Sequence, residues 1–269
     1  MIADIGGRRF EWGSRTYVMG IVNVTPDSFS GDGLDDDQEG AVLQGRRMVH
    51  EGADFLDVGG ESTRPGHVPI TTEDEISRTE AVVRRLSRES GVPVSIDTYK
   101  LEVAEAGVAA GATILNDIWG LTRSPAIANL AAQNQCALVV MHNQDGTEYA
   151  GDLMDEIKRF LGESAALAMA AGVPRERVII DPGIGFGKTA DHNWVVMRRL
   201  EELNELGFPI LIGTSRKSFI GKLLDAPVGE RVEGTAATIT AAVLRGADIV
   251  RVHDVAAMSR VARVADQMR

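Results

Sequence analysis

Two glycine-rich polar strings in the second half of the chain have the composition of ligand-binding loops. One is Asp-Pro-Gly-Ile-Gly-Phe-Gly-Lys at 181–188, the other Gly-Thr-Ser-Arg-Lys-Ser-Phe-Ile-Gly at 213–221. Each follows an apolar run that reads as a buried strand, Val178–Ile180 before the first and Ile210–Ile212 before the second. Glycine at a strand end lets a ligand approach the main chain closely, and successive backbone N–H groups there attract anions. Gly187-Lys188-Thr189 looks like the tail of a nucleotide-binding P-loop. That motif needs glycine at 182, where the chain has Pro182, so the P-loop reading fails.

Other polar residues close apolar runs in the same way. They include Asn23, Asp57, Asp97, Asn116, Asp117, His142, Asp181, Lys217, Arg251 and His253, with Asp27, Glu61 and Arg64 just beyond strand ends. The carboxylates and amides of Asp97, Asn116 and Asp181 suit the edge of a nitrogen heterocycle, since a carboxylate accepts N–H groups and an amide both donates and accepts. Arg64, Arg251 and His253 form an anion-binding group, to which Asn23 adds a metal or phosphate contact. A heterocycle carrying an anionic substituent fits both sets.

Blander roles stand beside these. Asp57 and Asp117 also suit capping the next helix or pairing with a neighbouring strand-end cation, and His142 suits a hydrogen-bonded structural histidine. His50 falls late in a helix, where it complements the dipole. His192 opens a helix and His67 lies in a loop. Asp35-Asp36-Asp37 reads as a solvated helix start. No histidines or Cys/His cluster have zinc spacing, and neither Ser215 nor Ser218 sits in a G-x-S-x-G elbow.

Positioning such a set requires a repeating scaffold. The apolar runs are Tyr17–Asn23, Phe55–Gly59, Val94–Asp97, Thr113–Asp117, Ala137–His142, Val178–Asp181, Ile210–Gly213 and Ile249–His253. Their polar markers are 34, 40, 19, 26, 39, 32 and 38 residues apart, counted from Asn23 through Asp57, Asp97, Asn116, His142, Asp181, Gly213 and Arg251. Crossovers of that length join parallel strands through helices. Helical signals lie between them. Thr72–Glu75 has capping-box spacing, and Gly52, Gly111 and Gly246 fall where helices should end. Eight strands in a chain of 269 residues predict a (β/α)8 TIM barrel, which needs about 250. A doubly wound open sheet shares the alternation but would concentrate polar residues at one switch point. Residues 5–12, with Gly6-Gly7 as the turn, predict a short N-terminal β-hairpin. No linker or composition shift divides the chain, so residues 1–269 read as one domain.

The formal net charge of −11 argues against nucleic acid or an anionic membrane as the main partner. The lone Cys136 permits no internal disulfide and, beside Ala137–Val140, reads as core. The first residues lack a signal-peptide pattern and no apolar run spans a bilayer, which together imply a cytoplasmic protein.

Taken in order, these strings resemble dihydropteroate synthase, the pterin-binding family of folate synthesis. The matching segments are Asn23–Ser30, Asp57–Gly66, Ser95–Thr98, Asn116–Ile118, Met141-His142, Asp181–Lys188, Gly213–Gly221, Gly234–Ala237 and Arg251–Val255. The resemblance implies a (β/α)8 barrel that condenses 7,8-dihydropterin-6-ylmethyl diphosphate with 4-aminobenzoate, releasing pyrophosphate and 7,8-dihydropteroate. It places the pterin on Asp97, Asn116, Met141, Asp181, Phe186, Gly213 and Lys217. It places the diphosphate on Asn23, Arg64, Arg251 and His253, with Mg2+ near Asn23. Aminobenzoate falls to Phe29, Thr63, Arg64, Pro65, Phe186 and Ser218. Asp97, Lys217, Arg251 and His253 are the implied catalytic set, and a homodimer is implied.

Two segments depart from the family pattern. Gly31-Asp32-Gly33 replaces Asp-Gly-Gly, and Asn143–Tyr149 replaces a Met-x-Gly-x-Pro string. A methyltetrahydrofolate–corrinoid methyltransferase uses a similar barrel but has no need of Ser215–Ser218 or of Arg251-Val-His253. A pterin-binding paralogue without synthase activity would keep the same residues.

Overall fold

The computed structural model describes residues 1–24, 34–61 and 69–269, with the backbone alone for 34–37. Strands β1 (Ile2–Ile5) and β2 (Arg8–Glu11) pair antiparallel around the Gly6-Gly7 turn, as the sequence predicts. Both turn glycines have positive φ, the geometry a tight two-residue hairpin demands.

Eight parallel strands follow: β3 (Tyr17–Asn23), β4 (Phe55–Gly59), β5 (Val94–Asp97), β6 (Ile114–Asp117), β7 (Ala137–Met141), β8 (Val178–Asp181), β9 (Leu211–Ile212) and β10 (Ile249–Val252). They run β8-β7-β6-β5-β4-β3-β10-β9, and a parallel bridge between Ile180 and Ile210 joins the two ends. The sheet therefore closes as a TIM barrel, with helices on the crossovers. Strand β9 is shorter than the Ile210–Gly213 run suggests. The amide of Ile210 is drawn to the Asp248 carboxylate at 3.0 Å, which takes it out of the ladder.

The outer helices are α1 (Leu34–His50), α2 (Thr72–Glu89), α3 (Leu101–Ala110), α4 (Ala126–Gln133), α5 (Leu153–Ala170), α6 (Ala190–Arg198), α7 (Ser218–Leu224), α8 (Val232–Leu244) and α9 (Val255–Asp266). Gly52, Gly111 and Gly246 follow α1, α3 and α8 as expected. Helix α2 is capped one residue before the expected position. The hydroxyl of Thr71 accepts the Asp74 amide at 3.1 Å, whereas Glu75, the acid a Thr72 capping box would use, turns inward to Lys100 at 2.8 Å. Its Val82, Val83 and Leu86 are fully buried against the sheet, each worth about 1.5–3 kcal/mol. His192 occupies the third position of α6 and completes a capping box with Thr189.

One apolar cluster lies between sheet and helices, and a second fills the barrel. The second joins Met19, Phe55, Ile114, Val139, Ile179, Leu211 and Ile249 of the strands to Ala3, Ile5, Phe10 and Trp12 of the hairpin. Phe10 stacks on Phe55 with ring centroids 4.4 Å apart, a pair worth about 0.5–1.5 kcal/mol beyond its buried area. The hairpin thus plugs the N-terminal end of the barrel and leaves the C-terminal end for polar groups. Cys136 is buried, as expected. Among the described residues no helix is long and apolar enough to cross a membrane.

Candidate active site

Strand register lines up the first part of the site. Asn23 of β3 pairs with Gly59 of β4, Gly59 with Asp97 of β5, and Asp97 with Asn116 of β6, so the three polar residues stand at one level near the ends of β3, β5 and β6. Strand β10 returns beside β3 and brings Arg251 to the same mouth.

The Arg251 guanidinium lies across two carboxylates. Its Nε donates to Asp57 Oδ2 at 2.6 Å and its Nη2 to Asp97 Oδ2 at 2.6 Å. Asn116 Nδ2 donates to that same Asp57 oxygen at 3.1 Å. Asp57 is fully buried. Of its two possible roles, pairing with a strand-end cation is the one the structure displays. Asp117 does neither: its carboxylate accepts the amides of Trp119 and Leu121 at 2.8 and 2.7 Å and so holds the turn after β6, while the next helix α4 has Pro125 at its cap. The Oδ1 atoms of Asp57 and Asp97 are buried without a hydrogen-bond partner among the described residues, an expensive condition for an acceptor in a dry site.

Electrostatics follow from burial. Burial pushes the Asp97 carboxyl up to about 7, with Arg251 opposing and Asp57 reinforcing the shift. Burial raises Asp181 as well, against the pull of Lys217. Burial lowers the Lys217 ammonium to about 8, with Asp181 working the other way. For Arg251 burial opposes charge, yet Asp57 and Asp97 more than compensate and raise its pKa.

The two glycine-rich strings supply the other wall. Asp181 ends β8 and its Oδ1 accepts the Gly183 amide at 2.7 Å. Lys217 donates to the Ile184 carbonyl, and its Nζ lies 4.6 Å from the centroid of the Phe186 ring. Met141 is buried at the end of β7 and Gly213 just beyond β9. Arg216, in left-handed backbone (φ +56), is held by Asp254 through two bonds and by the Thr235 hydroxyl. Ser215 clasps His253: its hydroxyl accepts the His253 amide at 3.1 Å and meets the ring Nδ1 at 2.9 Å. Ser218 is exposed at the start of α7.

Asp97, Asn116, Asp181, Lys217, Arg251 and His253 therefore all stand at the C-terminal end of the barrel. Phe29, Thr63, Arg64, Pro65 and Gly31-Asp32-Gly33 lie outside the described residues. A feature that sequence reasoning missed is a buried pair, Lys188 Nζ at 2.8 Å from His142 Nδ1. Its only signal was a lysine closing a glycine-rich string that is not a P-loop.

A divalent cation is compatible with this donor set. Asn23 would offer one hard oxygen at the β3 end, and the described residues contain no group of three or more His, Cys, Asp or Glu that could hold a metal. A Mg2+ ion there would keep several waters.

The family model for pterin binding enzymes matches residues 19–253. The chain belongs to the pterin-binding enzyme family. It is 49% identical over 263 residues to the dihydropteroate synthase of Clostridium beijerinckii, covering 97% of each chain. A crystal structure of dihydropteroate synthase from Clostridium difficile in the presence of pteroic acid superposes with a TM-score of 0.94 at 47% identity, over 96% of this chain and 98% of that one. The Xanthomonas albilineans dihydropteroate synthase with 4-aminobenzoic acid gives a TM-score of 0.94 at 42% identity, over 99% and 97%. These are full-length likenesses, so the pterin-binding family and the barrel hold for the whole chain.

Proposed function

We infer that the chain catalyses the dihydropteroate synthase reaction, joining 7,8-dihydropterin-6-ylmethyl diphosphate to 4-aminobenzoate with loss of pyrophosphate. The observation that carries the reading is the juxtaposition, at one barrel mouth, of unpartnered buried carboxylate oxygens with a cationic wall. The first suits the N–H edge of a pterin, the second a diphosphate. The likeness to enzymes solved with pteroic acid and with 4-aminobenzoic acid supports the same assignment.

In this reading Asp97, Asn116 and Asp181 hold the pterin edge, while Lys217 and Phe186 pack against it. As the methylene C–O bond breaks, positive charge develops on carbon and negative charge on the departing diphosphate. Asp97 and Asp181 favour the cationic pterin by accepting its N–H groups. Arg251 and His253 hold the leaving anion, the larger electrostatic demand. The aminobenzoate nitrogen forms the new C–N bond with its lone pair and releases a proton, so no covalent enzyme intermediate is required. Bound Mg2+, held by Asn23 and the phosphates, would neutralise charge on the diphosphate. Aminobenzoate would lie by Phe29, Thr63, Arg64, Pro65, Phe186 and Ser218. One barrel domain carries the site, and we expect a homodimer.

Incubating the purified chain with both substrates and Mg2+ and separating the products by chromatography tests this. Dihydropteroate should form. Methyl transfer from methyltetrahydrofolate to a corrinoid, with no dihydropteroate, would assign the barrel to the methyltransferases instead. Pterin binding without turnover would make it a non-catalytic paralogue.

A further inference from the structure

Lys188, His142 and the segment 143–149 have no role in that reaction scheme. Lys188 is 8% exposed and His142 3%. The Lys188 ammonium meets His142 Nδ1 at 2.8 Å and donates to the Phe186 carbonyl at 3.0 Å. The Tyr149 hydroxyl donates to the Gly187 carbonyl at 2.8 Å, and its ring stacks on His142 with centroids 6.0 Å apart at 25°. Phe160 of α5 closes the other side of the imidazole, edge-on at 4.9 Å.

The two loops also interlock through their backbones. A Cβ at Gly183 would fall 1.9 Å from the His142 carbonyl oxygen, and one at Gly187 within 3.0 Å of three Gln144 atoms. Both glycines have positive φ, +71 and +55. Neither position tolerates a side chain without the loops separating.

We propose that Lys188, His142 and Tyr149 are positioning residues for the pterin: they pin the loop that carries Asp181 and Phe186 to the loop that follows β7. The contacts form a closed circuit. Asp181 is oriented by the Gly183 amide, Gly183 abuts His142, His142 holds Lys188, and Lys188 holds Phe186 beneath Lys217. Burial lowers His142 to about 3 and Lys188 to about 7, so the imidazole beside the lysine is neutral.

The proposal rests on the synthase reading, and a binding measurement separates the two. Tyr149→Phe and Lys188→Met are compared with the unaltered enzyme by steady-state kinetics and by calorimetry with a free pterin. Losing one hydrogen bond in Tyr149→Phe should raise the KM for pterin diphosphate about threefold, and losing two polar contacts in Lys188→Met about tenfold. The Kd for free pterin should rise in parallel, with a smaller rise in the aminobenzoate KM through Phe186, which both sites share. Because both act on one loop, the double variant should lose less than the product of the single losses. An enzyme that makes no dihydropteroate but whose pterin affinity still falls in both variants would sink the synthase reading and keep this one. Unchanged pterin affinity in folded Tyr149→Phe and Lys188→Met, or equal losses for both substrates, would overturn the positioning role.

Discussion

Arg251 sits between Asp57 and Asp97, 2.6 Å from an oxygen of each. The Arg251 side chain is 21% exposed, while those of Asp57 and Asp97 are 0% and 10% exposed. One cation thus offsets two buried anions in the pterin pocket and still reaches the surface where a diphosphate would arrive. Its structural and ligand-binding roles are coupled through the same atoms.

The first prediction separates them. Arg251→Ala leaves buried carboxylates without their partner and should lower stability by about 3 kcal/mol in urea denaturation. It should also weaken pyrophosphate and pterin diphosphate by about 1.5–3 kcal/mol, the worth of a charge-assisted hydrogen bond. Free pterin affinity should fall by less than diphosphate affinity, since it loses only the support that Arg251 gives Asp97. Calorimetry that finds equal losses for free pterin and for the diphosphate would remove Arg251 from the anion subsite.

The second concerns Asp181, buried at the end of β8 with one oxygen on the Gly183 amide. Asp181→Asn can keep that acceptor but must present an NH2 on the other side, towards ligand N–H groups. Pterin affinity should fall at least tenfold with the melting temperature little changed, the loss of about one charge-assisted bond. Normal pterin binding, or a chain that no longer folds, would show that Asp181 serves the fold.

The third uses the buried Lys188. Burial lowers its pKa from 10.5 to about 7. Between those values the unfolded chain binds the proton that the folded chain has released, so this group makes stability rise with pH. Denaturation at pH 7 and pH 9 should show the unaltered enzyme gaining stability relative to Lys188→Met. Parallel profiles for the two proteins would mean that Lys188 keeps its proton in the fold.

Much of this arrangement was legible in the chain. Asp97, Asn116 and Asp181 close short apolar runs, and in a parallel barrel every such end opens on one face. The barrel and hairpin followed from spacing and from Gly6-Gly7. Partnership was harder to read. Arg251 and Asp57 are separated by 194 positions and meet only because β10 returns beside β3. The Lys188–His142 pair depends on two loops passing within contact distance, which no local pattern encodes. The Thr71 cap was missed because Glu75 follows a tertiary partner, Lys100, instead of the local box. Short polar side chains near helix starts offer several local hydrogen-bond choices, and packing decides among them.

The most direct test of the whole account is the stoichiometry of the reaction. Pyrophosphate and dihydropteroate should be measured together in a mixture of enzyme, pterin diphosphate, Mg2+ and 4-aminobenzoate. The account predicts that they appear one for one and that both stop when aminobenzoate is withheld. Pyrophosphate release that continues at the same rate without aminobenzoate, or the failure of dihydropteroate to form with the folded enzyme, would contradict it.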